Sequence, residues 1–277
     1  MSRPVRESFA KEVARDDSGM NLAYAALLIS EYLTHAADIA AYLAILDELA
    51  ARAQPAVQAA KTDVDIVEAL NQFLFNKLNF AGNSGNYYHP DNSFLNKVLD
   101  QRTGIPISLS VIYLEIGLRL GLPLWGIGMP RHFIVGYGTQ TRPIYIDVFD
   151  QGRILSEDDC LAICHVAPAD RLAFKHDYLK PTPNRAIIFR MLLNLKQIYV
   201  TWEDWTNAYK TVDLMVLTRP VEITEVRDRG LLAYRLDRLQ DAIFDIKRYL
   251  FLASDSVDAG WLENRLEAME ERLNRLN

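Results

Sequence analysis

The chain has 277 residues, of which 50% are hydrophobic and 24% are charged. This composition excludes a mostly disordered chain, and the length is sufficient to bury a full core without disulfides or metals. The formal charge of −6, without a long run of lysine and arginine, argues against a phosphate-binding surface, so we expect no nucleic-acid partner.

No segment has the apolar length of a signal peptide or a membrane span. The first residues carry several charges, and no later stretch approaches the roughly 18 uncharged apolar residues that cross a bilayer. We therefore predict a cytoplasmic protein without a membrane span. The sequence contains no signal for an oligomeric state.

Two cysteines, Cys160 and Cys164, lie one helical turn apart and are followed by His165. A zinc site of this kind needs about four ligands, and no second cluster of ligands is visible in the sequence. We interpret both as structural cysteines in a reduced compartment. We expect no metal and no cofactor.

Apolar residues recur at three- and four-residue spacing in the first third of the chain. The pattern predicts a helical hairpin over residues 21–33 and 39–50, with Gln54 and Pro55 interrupting the second helix. A further helix is predicted over about residues 63–80.

A polar loop is predicted over residues 81–93, because that stretch is dense in turn-forming residues. His89 precedes a proline there, and we interpret it as a turn residue rather than as a ligand. Asn92 or Ser93 is the predicted cap of the short helix that follows.

The most apolar stretch of the chain covers residues 102–121. Pro106 suits the first turn of a helix, because its missing N–H needs no partner there. Gly121 followed by Pro123 ends the pattern. Since almost no polar face remains between these residues, the stretch predicts a buried helix.

Short runs rich in β-branched and aromatic residues follow at 124–129, 132–137 and 144–148. The last two are predicted to pair antiparallel, with His132 on one strand and Asp147 on the next. The fold class is therefore α+β and mostly helical, with a small antiparallel sheet packed on the buried helix.

Helices resume after Ser156, whose acidic neighbours are typical of a first helical turn, and residues 180–184 are the predicted linker. Beyond the linker, hydrophobic or small residues recur 34 residues apart, as at Ala208 and Ala242.

This period is that of tetratricopeptide repeats, whose helical hairpins stack on one another. We predict two domains, a helical segment with the α+β core over residues 1–180 and helical repeats with a capping helix over residues 184–277.

A helix start, a histidine on a later strand and an aspartate on the strand after it are the skeleton of a cysteine-type acyl-transfer site. In that design the thiol stands at the helix N-terminus, the histidine takes its proton, and the acid orients the ring. His132 and Asp147 fit the second and third roles.

The linked order of several motifs resembles the SirB-type branch of the transglutaminase-like superfamily. These motifs are Asn92 with Ser93, residues 102–110, residues 130–135 and residues 146–150, followed by tetratricopeptide-like helices. In catalytic members of that family the helix opens with glycine, any residue, and then the nucleophilic cysteine.

When this motif is aligned with the sequence, Gly104 and Ile105 are followed by Pro106, which supplies neither a nucleophile nor a donor. The resemblance therefore implies a degenerate site, with Pro106, Ser110, His132 and Asp147 as its candidate residues. Ser110 lies one turn beyond Pro106 on the same helix face, where a buried serine commonly bonds the carbonyl four residues back.

Three functions are compatible with these residues. The preferred hypothesis is a non-enzymatic adaptor whose helical repeats bind a protein partner, with Tyr199, Trp205 and Tyr234 as candidate partner-binding residues. The second is a hydrolase or acyl transferase that uses Ser110 with the histidine and aspartate. The third is a gene-regulatory factor.

Overall fold

A computed structural model describes residues 2–164 and 176–276 of the chain. It contains two compact units. One comprises Arg15–Met191, and the other comprises Met1–Ala14 together with Leu192–Asn277. We call the first the core unit and the second the repeat unit.

The helices alternate with a few short strands. In chain order the helices are α1 (Ser2–Val13), α2 (Leu22–Thr34), α3 (Ile39–Ala59), α4 (Asp63–Asn71), α5 (Leu95–Gln101), α6 (Pro106–Arg119), α7 (Glu157–Ile163), α8 (Asn184–Thr201), α9 (Trp205–Thr218), α10 (Ile223–Arg235), α11 (Leu239–Leu252) and α12 (Ala259–Leu276). The strands are β1 (Ala81–Gly82), β2 (Thr103–Gly104), β3 (Leu124–Met129), β4 (His132–Thr139), β5 (Arg142–Asp147) and β6 (Arg153–Leu155). Among the described helices, none is long and apolar enough to cross a bilayer.

Helix α6 is the buried helix that the sequence predicted. Every residue from Pro106 to Gly117 is buried, including two serines and Glu115. The proline occupies the first helical turn, and Gly121 follows the helix with a positive φ of 69°. The predicted start and end signals are therefore confirmed.

The main sheet has four antiparallel strands in the order β3-β4-β5-β6. The predicted pairing of β4 with β5 is confirmed, with Val135 opposite Ile146. Strands β3 and β4 also pair, across a tight turn in which Arg131 has a φ of 65°. Strand β6 was missed, because only Leu155 of its three residues is buried and the run carries no alternating pattern.

The expected interruption at Gln54 and Pro55 is wrong, since α3 continues to Ala59. Proline removes one helical hydrogen bond, and the carbonyl left without its donor is that of Ala51. Both Ala51 and Pro55 are exposed, so water can satisfy this carbonyl while the opposite side of the helix stays packed.

The predicted helix over residues 63–80 also differs in the structure. Helix α4 ends at Asn71 and continues as a π-helical turn, Gln72–Lys77. This turn buries Phe73, Leu74 and Phe75, three consecutive side chains that the narrow apolar stripe of an ordinary α-helix does not accommodate.

The predicted cap of the short helix α5 is wrong as well. Phe94 stands at its N-cap position, and no side chain caps this end. Asn92 and Ser93 instead belong to the preceding 3₁₀ turn, Pro90–Ser93. Further along the chain, the predicted start of α7 is confirmed, with Ser156 and Asp159 forming a capping box.

The repeat unit shows the predicted 34-residue period in its helix bounds. Helix α11 begins and ends 34 residues after α9 does. Ala208 and Ala242 are fully buried at equivalent positions. Gly230 allows close packing, because a Cβ there would lie 3.0 Å from a methyl of Ile246.

Lys196 stands where the first repeat lacks the small residue that Gly230 supplies in the second. Its ammonium group lies 2.7 Å from carboxylate oxygens of both Glu225 and Asp228 on α10. The first repeat thus replaces close backbone packing with a partly buried ion pair.

Helix α1 is part of the repeat unit, whereas the sequence predicts it in the first domain. Arg6 pairs with the buried Asp213 on α9. Arg229 on α10 bonds the same aspartate at 2.8 Å and Asp245 on α11 at 2.7 and 2.8 Å. This buried network joins four helices, and the sequence offers no periodic signal for it.

The network makes the stability of the repeat unit sensitive to Arg229. Burial alone would raise the pKa of Asp213, but hydrogen bonds and charges from Arg6 and Arg229 outweigh it and lower the pKa. The contribution of Asp213 is therefore present above the unfolded value of about 4 and is lost as pH falls through the lower folded pKa.

We expect Arg229→Leu to lower the free energy of unfolding by about 3 kcal/mol at pH 7, because it leaves two buried carboxylates short of a partner. Urea unfolding measures the change. The stability lost between pH 5 and pH 2 should be smaller in the variant than in the wild type. Arg275→Gln, an exposed control, should stay within about 0.5 kcal/mol. An unchanged midpoint for Arg229→Leu contradicts the network's role.

Candidate functional site

His132 and Asp147 lie side by side on one face of the main sheet. The register of β4 and β5 places His132 at the start of one strand and Asp147 at the end of its neighbour. The imidazole Nε2 is 2.9 Å from Asp147 Oδ1, and both side chains are largely buried. The N–H direction does not align as a hydrogen bond, so the contact is an ion pair when the ring is protonated.

Asp147 is held in place by its own backbone turn. Its Oδ1 accepts the N–H of Phe149 at 3.0 Å and that of Asp150 at 3.3 Å. Such a turn is a local property of aspartate at the end of a strand. The carboxylate therefore keeps its position whether or not the histidine is charged.

Phe149 connects this pair with the start of α6. Its ring stands edge-on to the ring of His132, with 6.3 Å between centroids. On the other side, a Cβ on Gly82 would lie 2.5 Å from the Phe149 ring, so only glycine fits there. Gly82 pairs with Gly104 in the small parallel sheet of β1 and β2, directly before α6.

The first turn of α6 is fixed by Ser108 rather than by a side-chain cap at Ile105. Ser108 Oγ accepts the N–H of Ile105 at 3.1 Å and donates to the carbonyl of Asn92 at 2.5 Å. Pro106 stands between them at the first helical position and carries no donor. The position that the family resemblance assigns to a thiol thus holds a ring without polar atoms.

The polar loop before α5 is ordered around Asn92. The amide of Asn92 donates to the carbonyls of Asn86 and Tyr87 and accepts from Asn83. This places Tyr87 edge-on to Phe149, with 6.1 Å between ring centroids. His89 accepts the N–H of Asp91 through Nδ1, which agrees with its interpretation as a turn residue.

Ser110 is fully buried, and its hydroxyl makes no hydrogen bond with any described residue. The expected bond to the carbonyl four residues back is therefore absent. Because Ser110 Oγ has no partner among the described residues, no hydrogen bond joins it to His132 either. A hydroxyl in this position lacks both solvent access and a base.

Arg190 supports the turn that precedes His132. Its guanidinium donates to the carbonyl of Met129 at 2.8 Å and to that of His132 at 2.7 Å, and it lies 5.6 Å from the ring centroid of Phe133. Burial lowers the pKa of Arg190. Arg190 follows the predicted linker, so no sequence pattern associates it with the site.

Cys160 and Cys164 are free, buried cysteines in an apolar cluster that also contains Ile127, Ile134 and Tyr145 of the main sheet. Burial raises the pKa of Cys160 to about 12 and also raises that of Cys164. Both thiols are therefore neutral at pH 7 and poor nucleophiles. Within the described ranges no three histidine, cysteine or acidic residues cluster as metal ligands, and His165 lies outside these ranges.

The three residues suggested for partner binding lie in different surroundings. Tyr199 is 5% exposed, so its side chain belongs to the packing of the repeat unit. Trp205 and Tyr234 are partly exposed, and each has an arginine over its ring, Arg235 and Arg265 respectively. A role for Trp205 and Tyr234 in binding stays a prediction.

Sequence reasoning therefore selected the histidine, the acid and the replaced nucleophile, and missed the residues that hold them together. Phe149 lay within a selected motif, but nothing in the motif assigned it a contact. Gly82 carried no signal, because a glycine in a polar loop is ordinary. Chemically, the site offers a base and an acid without an attacking atom.

Comparison with known proteins identifies the families of the two parts of the chain. Residues 40–193, more than half of the chain, match the transglutaminase-like superfamily, and residues 195–267 match a tetratricopeptide repeat family. No solved structure matches the chain significantly.

Several curated proteins are similar in sequence. A UPF0162 protein of Xylella fastidiosa (strain Temecula1) is 39% identical over 189 residues, which cover 66% of each chain. A UPF0162 protein of Vibrio cholerae is 32% identical over 205 residues, covering 73% of this chain and 75% of that one. Human F-box only protein 21 is 38% identical over 103 residues, 34% of this chain and 16% of that protein. The resemblance inferred from the sequence is thus confirmed, and the chain belongs to the transglutaminase-like superfamily, with tetratricopeptide repeats after that domain.

Proposed function

We propose that the chain is a non-enzymatic adaptor that binds protein through its repeat unit. The observation that carries the proposal is Pro106 at the first position of α6, where catalytic relatives are expected to hold a cysteine. Proline has no group that can attack a carbonyl carbon, so the usual acyl-transfer route is closed at its first step.

No other side chain at the site takes over this role in our proposal. Ser110 is fully buried and has no base, while the thiols of Cys160 and Cys164 are buried and protonated at neutral pH. His132 and Asp147 then serve the fold, as a contact that holds two strand ends together. The two free cysteines fit a reduced compartment, so we place the adaptor in the cytoplasm.

The binding role is supported by the repeat unit. Stacked helical hairpins present extended surfaces that suit a peptide or a partner helix. Helices α8 to α11 repeat at a fixed period, and several aromatic side chains of this unit remain partly exposed. We infer that the partner is a protein.

A second candidate is a hydrolase or acyl transferase that uses Ser110. One observation favours it, since the Ser110 hydroxyl is buried without a hydrogen bond. Burying an unbonded hydroxyl destabilises the folded state, and such groups often have a functional role. The complete burial of the side chain weighs against it, because substrate would have to enter the packed interior of the core unit.

Acylating probes distinguish these two functions. We expect fluorophosphonate and haloacetamide probes to give no labelling that depends on His132 when the native wild type is compared with His132→Ala. Intact-mass spectrometry after incubation measures the result, and heat-denatured protein controls for nonspecific reaction. Labelling at Ser110 that disappears in His132→Ala contradicts the adaptor proposal and supports the hydrolase.

The adaptor proposal also predicts that binding survives loss of the histidine. Immobilised wild type and His132→Ala should retain the same protein partner in equal amounts, measured by quantitative mass spectrometry of the captured proteins. A partner that is lost only from His132→Ala places binding at the degenerate site and contradicts the role given to the repeats.

A further inference from the structure

In the repeat unit, Arg227 lies over the ring of Tyr249 and pairs with Asp228 and Asp258. Three further arginines of this unit also lie over aromatic rings. The guanidinium carbon of Arg235 is 4.4 Å from the ring centroid of Trp205, and that of Arg238 is 4.4 Å from Tyr209. Arg265 on α12 lies 5.0 Å from Trp261.

Arg265 also lies 5.8 Å from the ring of Tyr234, so it is shared between two rings. We call the set the arginine–aromatic surface. Its residues are Trp205, Tyr209, Tyr234, Arg235, Arg238, Trp261 and Arg265.

The residues of this surface come from α9, α10, α12 and the turn between α10 and α11. Trp205 and Tyr209 are one turn apart on α9, and the arginines over them flank the short turn between α10 and α11. Tyr209 and Tyr234 pack against the same small buried cluster of Ala233, Ala242 and Met269. The rings of Tyr209 and Tyr234 are therefore anchored in the packing of the unit, next to Arg238 and Arg265.

Two of the three arginines have no acidic partner among the described residues. Arg238 pairs with Asp241 at 2.7 Å, whereas Arg235 and Arg265 make no ion pair. Both are exposed, and Trp261 beneath one of them is 50% exposed. A guanidinium stacked on a ring keeps its in-plane N–H donors free, and these donors match the two oxygens of a carboxylate.

We propose that the arginine–aromatic surface binds an acidic peptide segment of a protein partner. The inference rests on the adaptor function proposed above and assigns its contact. Carboxylates of the segment bond to Arg235 and Arg265, and its apolar atoms lie against the exposed parts of Trp205, Tyr234 and Trp261.

The charges around the surface favour a peptide over a nucleic acid. Asp237, which pairs with Arg272, lies between the arginines that end α10 and begin α11, and Asp241 lies one turn further on. A nucleic-acid backbone carries a charge at every nucleotide and would place phosphates near these carboxylates. A peptide can space its acidic residues to meet only the two unpaired arginines.

Fluorescence anisotropy of the full chain with labelled octaglutamate tests the proposal. We expect binding that weakens between 50 and 200 mM salt, because the contacts are charged and exposed. Arg235→Gln and Arg265→Gln should each weaken it about tenfold, since each removes a charge-assisted contact. Arg275→Gln removes the same charge from the end of α12, away from any ring contact, and should change the affinity less than about twofold.

Several outcomes overturn the inference. The first two are the absence of octaglutamate binding and equal binding of octaglutamine. The third is an equal loss of octaglutamate affinity in Arg275→Gln. The fourth is tighter, Arg235-dependent binding of an eight-nucleotide single strand of DNA, which would indicate a nucleic-acid surface instead. Arg235, Arg265 and Arg275 are all exposed, so unchanged urea midpoints show that the three variants fold. If a partner captured by the wild type is also retained by the Arg235→Gln, Arg265→Gln double variant, this surface is not the contact, and the adaptor proposal stands without it.

Discussion

The burial of α6 determines much of the core unit, because its buried polar side chains, with the exception of Ser110, bond to other segments of the chain. The Ser108 hydroxyl donates a hydrogen bond to the carbonyl of Asn92 and so holds the polar loop. Tyr113 donates to Asn71, which in turn donates to the carbonyl of Gly152 after β5. Glu115 accepts the N–H of Ala23 at the start of α2. One buried helix is thus linked by hydrogen bonds to the polar loop, to the end of α4 and through it to the turn before β6, and to the start of α2.

The contacts that hold His132, Asp147 and Phe149 do not involve the side chain at position 106. Asp147 is held by the N–H groups of its own turn, and Phe149 is held against Gly82, so neither depends on catalysis for its position. His132 starts a strand whose preceding turn is fixed by Arg190. In the proposed degenerate site, Pro106 stands in place of the thiol and leaves these contacts intact. Proline is also favoured at the first position of a helix, so its presence at position 106 does not destabilise the fold.

The elements that the sequence predicted correctly are those with local signals. Pro106 and Gly121 mark the ends of α6, alternating apolar residues mark β4 and β5, and the 34-residue period marks the repeats. The rest depends on contacts between distant residues. No local pattern reports that Arg6 pairs with Asp213, that Gly82 makes room for Phe149, or that Arg190 reaches back to the turn before β4. At the candidate site the sequence therefore identified the chemistry, while the supporting contacts required the structure.

The central claim is that the side chain at position 106 alone separates this site from a thiol site. The most direct measurement is the alkylation rate of the thiol introduced by Pro106→Cys, followed with iodoacetamide by peptide mass spectrometry between pH 5 and pH 8. The helix N-terminus and a nearby imidazole both lower the pKa of a thiol. We therefore predict that at pH 6 it reacts at least about tenfold faster than Cys160 and Cys164, and that adding His132→Ala removes most of this advantage. The claim is contradicted if this thiol reacts no faster than the buried cysteines, or if His132→Ala leaves its alkylation rate unchanged.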